Sequence, residues 1–434
     1  MGWGNRAYNL TGCRFIRRKG GRRRLWFFVA FARRYQMGIR PLGKRSPLII
    51  LLALTCSVSR VVSWSQTNGV TGVPLSTQDR VRSAGWWPTK GTPSRTEYRG
   101  PAACAECHAL KATTQSSTPM ASAARPVGDT DLLPKYGQMV FFSGPYRFQI
   151  SATGDGAIYS VSDSTNSLQQ RLQWAFGVGE VGQTYVFQRE GNFYESRVSF
   201  YPALQGLDLT LGHHAPPAND LAGALGRAMP GHEKQLCFGC HTTASTTNSR
   251  FDVTGLIPGI TCEACHGPGA RHIARMKQGQ TKRGIQQILN PGRLAPVDLV
   301  DFCGACHRTA WDVALSNTVG IATVRFQPYR LEKSRCWGKG DARLTCVACH
   351  DPHQPLVRDP GAYDKQCLSC HLSSIGAAAN AADGAAGDHP GKLCPKSSSR
   401  CVSCHMAKFE IPGSHAQFTD HWIRVVRTNA GYPD

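Results

Sequence analysis

Seven times this chain writes Cys-x-x-Cys-His: at Cys104/Cys107/His108, Cys237/Cys240/His241, Cys262/Cys265/His266, Cys303/Cys306/His307, Cys346/Cys349/His350, Cys367/Cys370/His371 and Cys401/Cys404/His405. Two thiols at that spacing reach the two vinyl groups of one porphyrin while the adjacent imidazole lies under its iron, giving two thioethers and one axial nitrogen. Zinc ribbons and thioredoxin-like redox pairs also use Cys-x-x-Cys but place no demand on the next residue. Histidine makes up 15 of 434 residues, so its presence after every such pair is not chance. The spacing predicts seven covalently attached haem c groups, each with a proximal histidine.

Six of the sites fall between Cys237 and His405, a density that leaves room for short helices, turns and ligand-bearing loops with the haems against one another. Stretches such as Pro296 to Thr309 and Arg358 to Ser369 can each supply a helical turn or two ending at a haem. Only one site, at Cys104, precedes them. Between it and Cys237 lies an interval where an ordinary module can fold. Tyr146 to Ile150 alternates apolar with polar, Gly154-Asp155-Gly156 makes a turn, and Ala157 to Val161 resumes the extended pattern. Thr184 to Gln188 and Phe193 to Phe200 flank Glu190-Gly191-Asn192 in the same way, so a small antiparallel sheet is expected. Packing against the haem region is its simplest role; substrate recognition is the alternative.

The fold class expected is therefore a mostly α and irregular multihaem arrangement built around stacked haems, with a small antiparallel β insertion. Its divisions are a leader over residues 1–65, a linker over 66–98, the first haem site over 99–130, the β-rich insertion over 131–235 and a hexahaem region with a ligand-bearing tail over 236–434. The Ala/Gly-rich run Gly376 to Gly387 reads as a surface loop.

A formal charge of +22 suggests nucleic acid until its distribution is read. Residues 1–65 hold 14 of the 50 basic residues and none of the 28 acidic ones, so the remainder carries +8, and the haem propionates offset that further. No basic patch argues for DNA or RNA. The run Pro47 to Val58, preceded by Arg40, Lys44 and Arg45 and followed by Ser63 and Ser65, reads as a secretory signal cleaved near Ser65. It is shorter than the roughly 20 apolar residues of a spanning helix. Met37 is an alternative start, and a lipid anchor on Cys56 competes with cleavage. Covalent haem attachment also belongs outside the cytoplasm, so a periplasmic or outer-surface location is expected, with membrane association only through an uncleaved or lipidated N-terminus. Cys336 and Cys394 remain outside the haem motifs, and a disulfide between them is favoured over two buried thiols.

Eight histidines are not proximal: His213, His214, His232, His272, His353, His389, His415 and His421. Seven irons each wanting a sixth ligand make these candidates. The segment Cys262-Glu263-Ala264-Cys265-His266-Gly267-Pro268-Gly269-Ala270-Arg271-His272 resembles a haem site of the cytochrome c-554-type multihaem cytochromes, a family related to octahaem hydroxylamine-oxidising and pentahaem nitrite-reducing enzymes. There a Gly-Pro-Gly turn returns a distal histidine. Cys346 to His353 is similar to the short-loop variant, and Phe418-Thr419-Asp420-His421-Trp422-Ile423 resembles the family's tail. The resemblance covers roughly Tyr98 to Val426. It implies His213 as a distal residue, with His214 as understudy, alongside His272 and His353. His389, His415 and His421 are further candidates and His232 a bystander. Where the family often carries a histidine twelve positions beyond the first proximal one, this chain has Met120, either a ligand that raises the potential or a packing residue. Counting Met120 gives one distal group per iron.

The function expected is single-electron transfer between redox protein partners or membrane quinol and terminal oxidoreductase complexes, through closely packed, mostly bis-His haems. The alternative is an oxidoreductase of a small nitrogen or sulfur compound with one open iron. His214, His232, Arg271 and Tyr201 are available to it, but nothing marks any of them as catalytic, and the lysine-ligated site that resembles nitrite reductases is absent. A structural role, as a filament subunit or outer-surface conduit, is not separable from electron transfer by sequence.

Overall fold

The computed structural model describes residues 93–213, 218–247, 250–337, 344–371, 394–427 and 429–433. The leader, most of the linker, Met37, Cys56, His214, His389 and the Gly376–Gly387 run lie outside them. Among the described residues no helix is long and apolar enough to cross a membrane.

Helix α1 (Gly100–Ser116) carries the first haem motif and ends ahead of strand β1 (Ala124–Pro126) and the short helix α2 (Leu132–Tyr136). Strands β2 (Gln138–Ser143), β3 (Tyr146–Thr153), β4 (Gly156–Ser162), β5 (Ser167–Phe176), β6 (Gln183–Arg189), β7 (Asn192–Tyr201) and β8 (Gly206–Leu209) follow as one antiparallel meander. After α3 (Leu221–Leu225), strand β9 (Gly226–Ala228) returns to the sheet.

β1 pairs with the end of β5 that β4 leaves uncovered, Ala124 opposite Phe176, and β9 pairs with β7 at Tyr194 to Ser196, beyond the reach of β8. The two ends of the path, β2 and β8, approach each other, so the nine strands nearly close into a barrel. Between β6 and β7 the two-residue loop Glu190-Gly191 has φ of 52° and 78°. Two left-handed residues match the right-handed twist of the flanking strands.

This sheet corrects the expected fold class: the protein is not mostly helical with a small β insertion. The alternation in β3, β4, β6 and β7 was visible because Phe148, Ile150, Tyr159, Val161, Phe187 and Phe200 all point into one core and are fully buried. β5 is hidden in the sequence because Gln170 stands on the same face as Leu168 and Leu172 and interrupts the apolar period. β8 and β9 are too short to announce themselves, and pairing alone recruits them.

The haem-bearing segments form a second region of short helices: α4 (Gly231–His241), α5 (Cys262–His266), α6 (Ala270–Lys277), α7 (Thr281–Ile285), α8 (Pro296–His307), α9 (Ala310–Ser316), α10 (Gln327–Glu332), α11 (Cys346–Cys349), α12 (Asp364–His371) and α13 (Cys401–His405). Two-stranded pairings join them: β10 (Thr242–Thr243) with β13 (Ile257–Pro258), β11 (Thr246–Thr247) with β12 (Arg250–Phe251), and β14 (Lys408–Glu410) with β15 (Gln417–Thr419). In α4, α5, α8, α12 and α13 the helix ends at the motif's histidine, and in α11 at the cysteine before it. In α1 the helix runs on, with non-helical backbone at His108 (φ −116°, ψ 40°).

The sheet meets α4 through Phe238, a residue inside the second motif. Its buried ring lies 5.5 Å from Trp174, 5.0 Å from Phe176, 5.6 Å from Phe193 and 5.1 Å from Phe251, mostly edge-on. Edge-to-face packing of this kind adds to area burial. Phe238→Ala is expected to cost about 3–5 kcal/mol of stability, as for other buried Phe truncations, measured by denaturant unfolding of the haem-loaded protein.

Candidate haem sites

Each motif needs its two thiols and its imidazole presented on one side of a short helix, and three of the imidazoles are oriented by a backbone carbonyl. The Nδ1 of His241 lies 3.1 Å from the carbonyl of Ala123, that of His266 2.8 Å from Leu289, and that of His405 3.0 Å from Arg424. A carbonyl can only accept, so each Nδ1 carries the proton and Nε2 keeps the lone pair that a metal requires. Burial lowers the proton affinity of His241, His266, His307 and His350 and so favours the same neutral form.

Two histidines outside the motifs stand opposite proximal ones. His353 faces His266 with ring centroids 6.0 Å apart and planes within 20°. His421 faces His350 at 6.4 Å and 43°. A metal–imidazole bond of about 2 Å on each side of one iron, plus half a ring on each side, also separates two centroids by about 6 Å. These spacings fit an iron and its porphyrin between each pair. In both cases Nδ1 is occupied, His353 by Asp351 Oδ1 at 3.2 Å and His421 by the Thr419 carbonyl at 3.1 Å, which again leaves Nε2 for the metal. Burial, with His350 nearby adding to it, pushes His421 down to about 4, so it is neutral in the working range.

The remaining distal candidates are placed differently. His272 on α6 has its Nδ1 2.9 Å from the Gly284 carbonyl and lies within electrostatic reach of His266. His213 is buried with Nε2 3.0 Å from Glu195 Oε2, and Glu195 also pairs with Arg227. His415 holds Asp208 Oδ2 at 2.8 Å through Nε2 and packs edge-on against Tyr201 at 4.9 Å. Met120 is half-buried in the turn after α1, where its carbonyl accepts from Ile260 and Ala123 amides. His232 is exposed.

The two cysteines of a motif, which the spacing treats alike, are not placed alike. First cysteines of different motifs come within electrostatic reach of one another, Cys104 with Cys262, Cys303 with Cys346 and Cys367 with Cys401. The neighbouring Cys104 thiol lowers Cys262 to about 7 and is itself raised. Second cysteines differ from this pattern. Cys107 and Cys404 are exposed, whereas Cys306 and Cys370 are half-buried. Cys306 lies within electrostatic reach of Cys303 of its own motif, and the Cys370 Sγ is 3.9 Å from the Ser369 Oγ. Burial pushes the Cys265 thiol up to about 11. Among the described residues no three His, Cys, Asp or Glu side chains gather as a site for a bare metal ion. Thioether attachment asks less of the cysteines: a sulfur at the end of a helical turn that a vinyl group can reach.

The expected disulfide between Cys336 and Cys394 is not formed. Cys336 instead lies within electrostatic reach of Cys349 of the fifth motif.

Four residues with no haem role in the sequence reading position these groups. Glu263, 1% exposed and lodged within the third motif, accepts from the amides of Arg99 at 2.9 Å, Gly100 at 2.8 Å and Gly269 at 2.7 Å. It thereby ties the N-terminus of α1 and the Gly-Pro-Gly turn to one carboxylate. Asp364 at the head of α12 accepts from Arg400 at 2.6 Å and Cys401 at 2.8 Å, tying α13 to α12. A carboxylate at a helix N-terminus satisfies amides that have no partner within the helix. Asp420 receives Arg330 through two bonds of 2.8 and 2.9 Å, Arg424 at 2.6 Å and the Trp422 amide at 3.1 Å. Arg330 and Asp420 are both fully buried, and the guanidinium lies over the rings of Tyr432 and Trp422 at 4.5 and 5.1 Å. The only sequence signal was position: Glu263 sits between haem cysteines, and Asp420 immediately precedes His421.

A family model described as cytochrome c554 and c-prime matches residues 218–267, the segment that contains the second and third motifs. The multiheme cytochrome MtrA of Shewanella baltica (strain OS185) is 22% identical over 181 residues, 32% of this chain and 53% of that protein, so the chain spans about half the length of this relative. A crystal structure of the outer cell wall cytochrome OcwA aligns over 76% of this chain and 80% of its own, with 17% identity and a TM-score of 0.45. These sequence matches support a multihaem c-type cytochrome. Within that class, the matched segment is similar to the cytochrome c554 and c-prime family.

Removing the Asp420 carboxylate strands a buried guanidinium. Asp420→Asn is expected to destabilise the protein by about 3–5 kcal/mol near neutral pH. Burial raises the Asp420 carboxyl, but its hydrogen bonds outweigh that and leave it below its usual value. Its contribution is therefore full above about pH 4 and is lost as pH falls through the lowered native value, so the gap between variant and parent closes in acid. Denaturant unfolding at two pH values measures both.

Proposed function

We propose that the chain is an exported heptahaem c-type cytochrome that carries single electrons between redox partners, in the periplasm or at the outer surface. The observation that carries this reading is that helices bearing different motifs pack on one another, α1 on α5, α8 on α11 and α12 on α13. Helices packed in this way hold the edges of their porphyrins near one another, and electron tunnelling falls steeply with distance. Bound haem supplies the one-electron chemistry. The chain's own contribution is to fix each ring. Its edge is held by a first cysteine and by a second one, the role given to Cys107, Cys306, Cys370 and Cys404 as to the others. Its face is held by a proximal imidazole, whose Nδ1 rests on a carbonyl at His241, His266 and His405, and at two irons by His353 and His421 as distal ligands opposite His266 and His350. His272, His213, His389, His415 and Met120 remain distal candidates for the other irons. Matched ligands on both faces suit iron that changes oxidation state with little rearrangement.

A second reading is favoured by the carboxylates on His213 and His415. With Nε2 of both engaged, these histidines are less available to iron, and an oxidoreductase of a small nitrogen or sulfur compound needs one open face with proton donors beside it. Tyr201, which packs on His415, is such a group.

Mass spectrometry of the purified holoprotein is expected to give the polypeptide plus seven haems. Addition of carbon monoxide to the reduced protein is expected to leave the absorption spectrum unchanged. Ready binding by one haem would transfer support to the oxidoreductase reading, and a colourless protein would end both.

A further inference from the structure

The order of haem motifs in the sequence is not the order in which the fold brings them together. Site one packs on site three, α1 against α5, and the carboxylate of Glu263 holds both backbones. Site three meets site five, because His353, the ring opposite His266, is three residues beyond His350. Site five packs on site four, α11 against α8, and reaches site six through Cys349 and Cys367, which lie within electrostatic range. Site six packs on site seven, with Asp364 at the head of α12 accepting the Arg400 and Cys401 amides of α13. Site two has a different neighbour: the Cys240 thiol donates to the carbonyl of Ala305 in the fourth motif at 3.7 Å, and His241 lies within electrostatic range of His307. Its other contacts run to the sheet, through Phe238 and through Phe176, whose ring is 5.3 Å from His241.

We infer that the seven haems form a branched conductor in which the first is joined to the third, the third to a central fourth–fifth pair, that pair to the sixth and seventh, and the second hangs from the fourth beside the sheet. This rests on the electron-carrier reading above and extends it to three ends, at haems one, two and seven, where a partner can exchange electrons. Haem two, the end packed on the β-sheet, is a side port and not a link between haems one and three. The pairing follows from elementary geometry. A helix of four or five residues such as α11 or α13 has no apolar face long enough to set its own orientation, so a side chain that reaches from one motif to the next decides which porphyrins meet.

The test is the set of iron positions in crystals of the full haem-loaded chain, located by anomalous scattering at the iron edge. The iron on His241 is expected to have the iron on His307 as its nearest neighbour, the iron on His108 that on His266, and the iron on His371 that on His405. Neighbours that follow chain order, with the iron on His108 nearest that on His241, overturn the branched arrangement while leaving a heptahaem cytochrome intact. Fewer than seven irons fails the earlier reading instead. A second measurement needs no crystals: Cys237→Ala with Cys240→Ala removes haem two, and a ruthenium photosensitiser on Leu110→Cys, an exposed position of α1, injects an electron near haem one. Transient absorption is expected to show the electron spreading to the other haems at an unchanged rate. Confinement to haem one would place haem two in the main path and sink the proposal.

Discussion

Short helices cannot hold themselves, and this constraint governs the haem region. The segments that carry the motifs run from 4 residues in α11 to 17 in α1, and most have no hydrophobic face long enough to anchor them. Isolated helices of that length are marginal in water. Carboxylates provide orientation from outside: Glu263 gathers three amides from two segments, Asp364 ties one motif helix to another, and Asp420 fixes the tail that presents His421. Glu263 and Asp420 replace the hydration lost on burial with charge-assisted hydrogen bonds, which are specific in direction in a way that apolar packing is not.

The β-sheet answers the same constraint by other means. Its own core is largely apolar, with Phe148, Tyr159, Phe187 and Phe200 completely buried, and it is packed by side chains of the sheet and its short helices. Its second contact surface, around Trp174, Phe176 and Phe193, receives Phe238 and gives one haem motif a rigid wall. The two variable residues of Cys-x-x-Cys-His thus carry much of the tertiary information. Phe238 docks on the sheet and Glu263 caps a helix. Gly304 leaves room where an added Cβ would lie 2.2 Å from Thr309 Cγ2.

The tail joins these devices to chemistry. Asp420 is held by Arg330 and Arg424, and the residues beside it complete two sites: His421 turns toward His350, while the Arg424 carbonyl takes the Nδ1 proton of His405. Arg330 lies between Tyr432 and Trp422, so a buried ion pair is covered by aromatic faces that exclude water. Breaking such a pair by removing one partner costs more than the pair itself contributes, which makes it a sensitive clamp on ligand position.

The sequence alone determined the covalent chemistry, because a thiol-thiol-imidazole spacing is local and needs no folding to be recognised: seven motifs and a pool of spare histidines could be read directly. It also showed four of the strands, where one face is uniformly apolar. It misjudged the extent of the sheet, since β5 interrupts its own alternation with Gln170 and β1 and β9 exist only through their partners. Nor did it distinguish Cys104 from Cys107 or Cys401 from Cys404, because which thiol meets another motif and which faces solvent depends on how the helices are packed. Which histidine faces which, and that His213 and His415 meet carboxylates through Nε2, were likewise decided by tertiary structure alone. These are contacts between residues as much as 207 positions apart, set by carboxylates and aromatic packing that leave no periodic trace in the chain.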